Sequence, residues 1–340
     1  MVLSAETTAL LDDVLMRFGV ANASIHDIRS GRVNKHWRVE TGDDTYALRR
    51  YTPQRSVSAV NYEHNILRHI DAHGWPVAAP LPSLEGTQTL AHVGGRMYSL
   101  FPFLTGSPAP QNARYARAKG RLLARLHRDL ASWEAPGQRD GFGRAWELDL
   151  YTAANCGFST LNELLFAFGQ EHAEIARVVR AQKYAMLREL SVLGFGELPA
   201  VLCHFDFHHD NLLFQRGELS GLLDLDLAHL DARVADVASS IFLDCFAPPA
   251  YSEISPTLAA QFVGGYVEHA PLRDAELQLI VPLIRAAIMG LVVWRLAGWA
   301  RGDDVQAALH SLHRSATERL PSFVRHRDEL EAAVLQAGGR

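Results

Sequence analysis

Cysteine is scarce, with 3 in 340 residues. Cys156, Cys203 and Cys245 lie far apart and form no CxxC pair. A disulfide framework and a cysteine-based zinc site are therefore not expected, and a reducing cytoplasm fits. A charge excess is also lacking: 33 Lys and Arg stand against 38 Asp and Glu, a formal net charge of −5. Nothing general favours nucleic acid or an acidic membrane as a partner. The longest apolar stretch, Leu279 to Trp299, is interrupted by Pro282, Arg285 and Arg295, so it reads as a buried helix and not a membrane span. The first residues read as an ordinary helix and not as a signal peptide. Ser4 can cap it, Glu6 suits its first turn, and Leu10, Leu11, Val14, Leu15 and Phe18 form one face interrupted by Asp12 and Asp13. There is no Walker A sequence and no HExxH. Gly141-Phe142-Gly143 lacks the third glycine and the preceding strand of a dinucleotide fingerprint. No internal repeat or low-complexity tract is seen. What remains is 48% hydrophobic and 21% charged, a globular balance in a chain long enough for two domains or two lobes.

Local patterning changes along the chain. Segments 25–29 and 36–40 read as strands around the turn Ser30-Gly31-Arg32-Val33-Asn34. Gly42-Asp43-Asp44 reads as a turn before the strand Thr45–Tyr51. From Val57 to Ala72 the period is helical, ended by Gly74 and Pro76. Strands Leu90–Val93 and Arg96–Phe101 follow around Gly94-Gly95. The proline-rich segment 102–110 is the expected connection between domains. Beyond Asn112 the pattern is mainly helical: 113–131, 160–192, 258–269, 276–300 and 305–312. The exceptions are short apolar runs at 200–204, 211–215 and 219–225. The expectation is an α+β, two-lobed architecture: residues 1–104 as a small lobe with an antiparallel sheet and a helix, a hinge near 100–110, and residues 105–340 as a larger helical lobe.

The chemistry concentrates in Cys203-His204-Phe205-Asp206-Phe207-His208-His209-Asp210-Asn211 and in Leu223-Asp224-Leu225-Asp226. Asn211 lies five residues after Asp206, and Asp224 lies eighteen after it. Carboxylates and an amide beside runs of Leu, Val and Phe are costly unless paired or bound to metal. Phosphoryl transfer gives each a task. Asp206 would orient a hydroxyl nucleophile and accept its proton, while Asn211 and Asp224 would supply hard oxygen ligands to Mg²⁺ on ATP.

His204-x-Asp206-x-x-x-x-Asn211, Leu223-Asp224-Leu225-Asp226 and Ala235-Asp236-Val237-Ala238 resemble the aminoglycoside phosphotransferase and choline kinase superfamily, which includes type II homoserine kinases. Leu122-Leu123-Ala124-Arg125-Leu126-His127 resembles the helix that supports the family's catalytic loop. The resemblance covers about residues 20 to 245. It implies a protein-kinase-like fold, ATP and Mg²⁺ as cofactors, and a small-molecule hydroxyl acceptor. The Ser30–Asn34 turn then sits where the phosphate-covering hairpin belongs, with Ser30 and Asn34 as phosphate contacts. Arg49 is the candidate cation for the α/β-phosphates, Arg50 the fallback, and Glu63 the partner that would hold Arg49. Segment 100–104, with Phe101 and Phe103, would frame the adenine. One departure is Phe205, where the family usually has Gly; it should alter packing of the catalytic loop without removing a catalytic group. His204 and Asp236 read as braces of that loop. Asp226 could be a second metal ligand, a substrate contact or a solvated group.

The acceptor is not fixed by these residues. Asp226, Asp231 and Asp244 could contribute to an acidic pocket for a cationic antibiotic. Trp294, Arg295, Trp299 and Arg301 lie late in the helical lobe, where members of the resembled family build acceptor sites. Core packing and solvated arginines are the plainer reading of these four, and the same holds for Asp231 and Asp244. Homoserine would want both an Arg and an acid, and Phe101-Pro102-Phe103-Leu104-Thr105-Gly106 resembles homoserine kinases. Competing readings are a metal-dependent hydrolase using His204, Asp206, His208, His209 and Asp210, a non-catalytic pseudokinase scaffold, and a protein Ser/Thr kinase. The absence of an activation segment between Asp226 and Asp236 favours a small acceptor. A cytoplasmic monomer or homodimer is expected.

Overall fold

The structure, a computed structural model, describes residues 4–28, 34–84, 88–134, 137–247 and 252–339. Elements are numbered in chain order. The chain divides into two compact units: residues 1–108 with 212–226, and residues 109–211 with 227–340. The expectation had a single cut after residue 104. Here the segment 212–226 counts with the first unit, because its strands pair there.

The first unit begins with α1 (Ala5–Met16), whose N-cap Ser4 accepts from the Thr7 amide. Then come β1 (Ser24–Ile28), β2 (Lys35–Glu40), β3 (Thr45–Arg50), α2 (Val57–Ala72), β4 (Ala91–Val93), β5 (Arg96–Pro102) and β6 (Ser107–Pro108). Strands β1 to β5 form one antiparallel sheet in the order β1-β2-β3-β5-β4. Alternation along β3 sends Leu48 to one face, where it packs with Leu11, Val14 and Leu15 of α1 and with Trp37 and Leu100. Arg50 shares that face and lies over the Trp37 ring. Ala47 and Arg49 point to the other face. Helix α2 is capped by Ser56, which accepts from the Ala59 amide.

The second unit contains α3 (Ala113–Leu130), α4 (Leu148–Cys156), α5 (Leu161–Phe168), α6 (Ala173–Val192) and β7 (Val201–Cys203). Strands β8 (Leu212–Gln215) and β9 (Glu218–Leu222) belong to the first unit, where they extend β6 into a second sheet. The second unit resumes with β10 (His229–Asp231), α7 (Arg233–Asp244), α8 (Pro256–Val267), α9 (Asp274–Arg301), α10 (Val305–Arg314), α11 (Leu320–Arg325) and α12 (Arg327–Ala337). β10 pairs antiparallel with β7, His229 opposite Cys203. The helical pattern over 160–192 is two helices, because the chain turns at Gly169, whose amide closes the last turn of α5 on the Leu165 carbonyl (3.0 Å).

Helix α9 is long and apolar enough to cross a membrane, with a mean hydropathy of 2.0 in its most apolar window, yet 72% of that window is buried inside the protein. Its interruption, Arg285, pairs with Glu189 of α6 (3.1 Å). It is a core helix.

Helices α3 and α8 approach through glycine. A Cβ at Gly120 would stand 2.0 Å from the Phe262 carbonyl oxygen, and one at Gly265 would stand 2.0 Å from the Arg117 carbonyl oxygen. Gly120→Ala would gain about 1 kcal/mol of helix propensity, but the overlap is with backbone and cannot be relieved by a rotamer. The clash wins. We expect Gly120→Ala to destabilise the protein by about 1–3 kcal/mol, read as a lowered midpoint in urea or thermal unfolding.

Candidate active site

The catalytic-loop candidates follow β7 in the second unit. Asp236, in the first turn of α7, is fully buried and accepts from the His204 amide (2.7 Å), the Phe205 amide (2.8 Å) and Nε2 of His127 (2.9 Å). His127 stands in the last turn of α3, and the Tyr266 hydroxyl of α8 donates to its Nδ1 (2.8 Å). Burial works against ionisation of Asp236, but these donors outweigh it and hold its pKa below the usual carboxylate value. His204 is buried, and its Nδ1 accepts from the Asp206 amide (3.2 Å). Both residues brace the loop.

Asn211 folds back on Asp206. Its Nδ2 donates to the Asp206 carboxylate (2.8 Å) and to the Asp206 carbonyl (2.9 Å). The amide is thereby oriented, and its Oδ1 has no hydrogen-bond partner among the described residues. A fixed carboxamide oxygen of this kind fits a hard divalent cation. His208 Nε2 lies 3.4 Å from the other Asp206 oxygen. Burial opposes protonation of His208, and Asp206 reverses the balance, raising its pKa.

Phe205 occupies the left-handed region, with φ +63°. This explains why glycine is usual there: a bulky residue in that region costs about 1–3 kcal/mol. Compensation is visible. The Phe205 amide is bonded to Asp236, and its carbonyl accepts from Ser239 Oγ (3.0 Å). Its ring stacks on His229, centroids 4.1 Å apart and planes 11° from parallel. His229 is buried, donates from Nδ1 to the Leu227 carbonyl (2.7 Å), and meets Phe142 at 5.0 Å.

In the first unit, Arg49 Nη1 pairs with Glu63 Oε1 at 2.7 Å, and its Nε donates to His36 Nε2 at 3.0 Å. Burial opposes its charge, but Glu63, Tyr51, Asp224 and Asp226 raise its pKa overall. The guanidinium also lies 5.1 Å from the Phe101 ring centroid. Phe101 is buried in β5, and the Phe103 amide is bonded to the Thr45 carbonyl (3.0 Å) under the guanidinium of Arg38. Asp224 is left-handed at φ +56°. Asn34 is buried and donates to Asp226 (3.1 Å). Ser30 lies outside the described residues.

The structure thus brings together Asp206 with Asn211, and separately Arg49 with Glu63 and Asn34 with Asp226. The three acids offered for a cationic acceptor are already matched. Asp226 pairs with Arg55 (2.6 Å), Asp231 with Arg144 (3.0 Å), and Asp244 with the buried Lys119 and with His209 (2.8 Å). Burial pushes Asp231 up to about 6, against the donors of Ala232, Ala145 and Arg144. Trp299 packs edge-on against Phe168, Arg295 lies over Trp294, and Arg301 bonds to Asp303 and the Asn155 carbonyl. The hydrolase reading loses His204, an internal brace, while His208, His209 and Asp210 keep ligand atoms within 4.8 Å of one another, with His209 Nδ1 already on Asp244. Sequence reasoning missed Arg55, Lys119 and His229, whose partners are remote in the chain and leave no local spacing signal.

The profile of the phosphotransferase enzyme family matches residues 24–276. The chain belongs to that family. It is therefore a phosphotransferase, and membership implies a nucleoside triphosphate donor and a divalent metal. Among curated relatives it is similar to the homoserine kinase of Caulobacter vibrioides, 28% identical over 274 residues, covering 80% of this chain and 81% of the relative. The homoserine kinase of Zymomonas mobilis is 25% identical over 281 residues, covering 81% of each. Among solved structures, a microcompartment-associated aminopropanol kinase superposes with a TM-score of 0.69 at 17% identity, covering 97% of this chain and 99% of that one. An amicoumacin kinase in complex with AMP-PNP and Ca²⁺ gives 0.67 at 16% identity, covering 97% and 96%. These establish the fold as that of the aminoglycoside phosphotransferases and choline kinases, α+β with an antiparallel N-terminal sheet and a mainly helical remainder.

Burial of His229 lowers its pKa to about 4, with Asp236 favouring and Arg139 opposing the charged form. His64, enclosed by Tyr51 and Thr89, is lowered to about 3 by burial, with Arg49 and Arg68 adding to the effect. Both are neutral at pH 7 whether folded or unfolded, so their contribution is intact above the ordinary value of 6.5. It is lost as pH falls below 6.5, because the unfolded chain takes up the protons first. Each group contributes a slope of up to about 1.4 kcal/mol per pH unit. Urea unfolding at pH 7, 6 and 5 should therefore show stability falling, and His229→Phe, which keeps the stack, should make that fall shallower. An unchanged slope would mean that His229 is not buried neutral.

Proposed function

We propose that this protein is an ATP- and Mg²⁺-dependent kinase that phosphorylates the hydroxyl group of a small amino alcohol, with homoserine the first acceptor to test. The observation that carries the reading is the Asp206–Asn211 pair. The carboxamide donates to the carboxylate, so its own oxygen is left for a cation, and the carboxylate keeps accepting positions for an alcohol O–H. Asp206 orients the acceptor hydroxyl and accepts its proton. Asn211 and Asp224 would hold Mg²⁺, which would supply charge neutralisation for the transferring phosphoryl group. Arg49, fixed by Glu63 and His36, contacts the α/β-phosphates, with Ser30 beside them; the Asn34 amide, expected as a phosphate contact, is instead engaged by Asp226 and the Thr52 amide. Residues 100–104 hold the adenine. Catalysis is then mainly positioning and charge stabilisation.

The homoserine preference rests on the curated relatives and on the pairing of Asp226, Asp231 and Asp244 with internal cations, which weakens the case for a polycationic antibiotic. A protein acceptor is disfavoured because the chain passes from Asp226 to β10 at His229 and then into α7 at Arg233 without a long activation segment. The protein is expected to act in the cytoplasm, as a monomer or homodimer, without nucleic acid or membrane.

ADP release with Mg-ATP should be measured across homoserine, choline, aminopropanol, sugars and aminoglycosides, with homoserine giving the largest kcat/KM. No turnover with any amino alcohol would reject the acceptor class. Asp206→Asn should keep nucleotide binding but lower kcat by about 10²–10⁴-fold; near-wild-type kcat would remove Asp206 from its role. Asp224→Ala should abolish the Mg²⁺ dependence of ATP binding, and calorimetry showing it intact would reject that ligand.

A further inference from the structure

Asp226 follows the proposed metal ligand Asp224 by two residues, and its own carboxylate is already engaged. Arg55 Nη2 donates to its Oδ2 at 2.6 Å and lies 3.3 Å from its carbonyl oxygen. Asn34 Nδ2 donates to the same Oδ2 at 3.1 Å, and Asn34 Oδ1 accepts from the Thr52 amide at 3.2 Å. Arg55 and Asp226 side chains are only 15% and 9% exposed, so the pair is sheltered from solvent screening. Three pieces of the first unit meet at this carboxylate: the segment carrying Asp224, Asn34 just before β2, and the loop that follows Arg49. Between the two acids, Leu225 is buried at 1% exposure.

A carboxylate bound to a guanidinium and an amide is a poor second metal ligand, because binding a cation would require displacing another cation. It is well placed to hold its neighbour. Mg²⁺ demands near-ideal octahedral geometry, so the direction of a ligating carboxylate matters as well as its presence. Asp224 sits in the left-handed region at φ +56°, a conformation that the surrounding contacts must maintain.

We propose that Arg55 and Asp226 form a positioning pair, completed by Asn34, that fixes the orientation of Asp224 toward the nucleotide-bound metal. Arg55 touches neither nucleotide nor acceptor; it acts through the backbone of residues 224–226. This rests on the reading of Asp224 as a metal ligand.

The test is calorimetric titration of ATP into wild type, Arg55→Met, Asp226→Asn and the double variant, each with and without Mg²⁺, with circular dichroism to verify folding. Wild type should bind ATP more tightly with Mg²⁺. Arg55→Met and Asp226→Asn should each lose about tenfold of the Mg²⁺-dependent affinity while metal-free affinity stays unchanged. The double variant should be no worse than the weaker single variant, since the two act as one unit. Arg55→Lys, which keeps the charge but not the second contact, should lose less than Arg55→Met, and it carries the test should Arg55→Met fail to fold. An equal loss with and without Mg²⁺ would reduce the pair to a structural role and overturn the proposal, as would additive losses or no loss. Failure of wild type to show Mg²⁺-enhanced ATP binding would instead bring down the underlying phosphotransferase site.

Discussion

Asp236 accepts two consecutive backbone amides and an imidazole N–H inside a fully buried setting. Without these donors a carboxylate there would be prohibitively costly, and without the carboxylate two loop amides would lack acceptors. The arrangement ties α7 and α3 to His204 and Phe205, the middle residues of the Cys203–Asp206 segment. Asp206 and Asn211 inherit their positions from that knot. Tyr266 extends it to α8, so the packing of three helices is transmitted to one short loop through hydrogen bonds of fixed direction.

The first unit solves a related problem with charge. Arg49 stays on the sheet face opposite the α1 core because the β3 pleat alternates, and Glu63 and His36 then fix its guanidinium from two sides. Arg50, one residue on, is carried to the Trp37 face by the same alternation. A register slip of one residue would exchange the two arginines. The β2–β3 pairing, with His36 opposite Arg49, therefore does more for the site than any single side chain.

Local signals made much of this legible. The apolar period from Val57 to Ala72, ended by Gly74 and Pro76, coincides with α2, and the short spacing from Asp206 to Asn211 survives as a direct contact. The Arg49–Glu63 pairing implied by the family resemblance is present as a direct ion pair. The remainder depends on partners distant in sequence. Nothing near Lys119 announces Asp244, and nothing near Arg55 announces Asp226. Helices α4 and α12 escaped because a short or highly charged helix shows little apolar periodicity. The ion pairs of Asp226, Asp231 and Asp244 are likewise silent in the sequence: charge is visible there, whereas its neutralisation is a property of the fold.

Phe205 changes where a conformational penalty is registered. Glycine at such a position adopts the left-handed state readily, but it also gives the denatured chain many more states to abandon on folding. Phenylalanine narrows the denatured ensemble and places the burden on the native state, where Ser239, Asp236 and the His229 ring offset it. A loop built this way has few alternatives once formed. It is stiff by exclusion, and its stiffness would disappear along with the aromatic surface that now leans on His229.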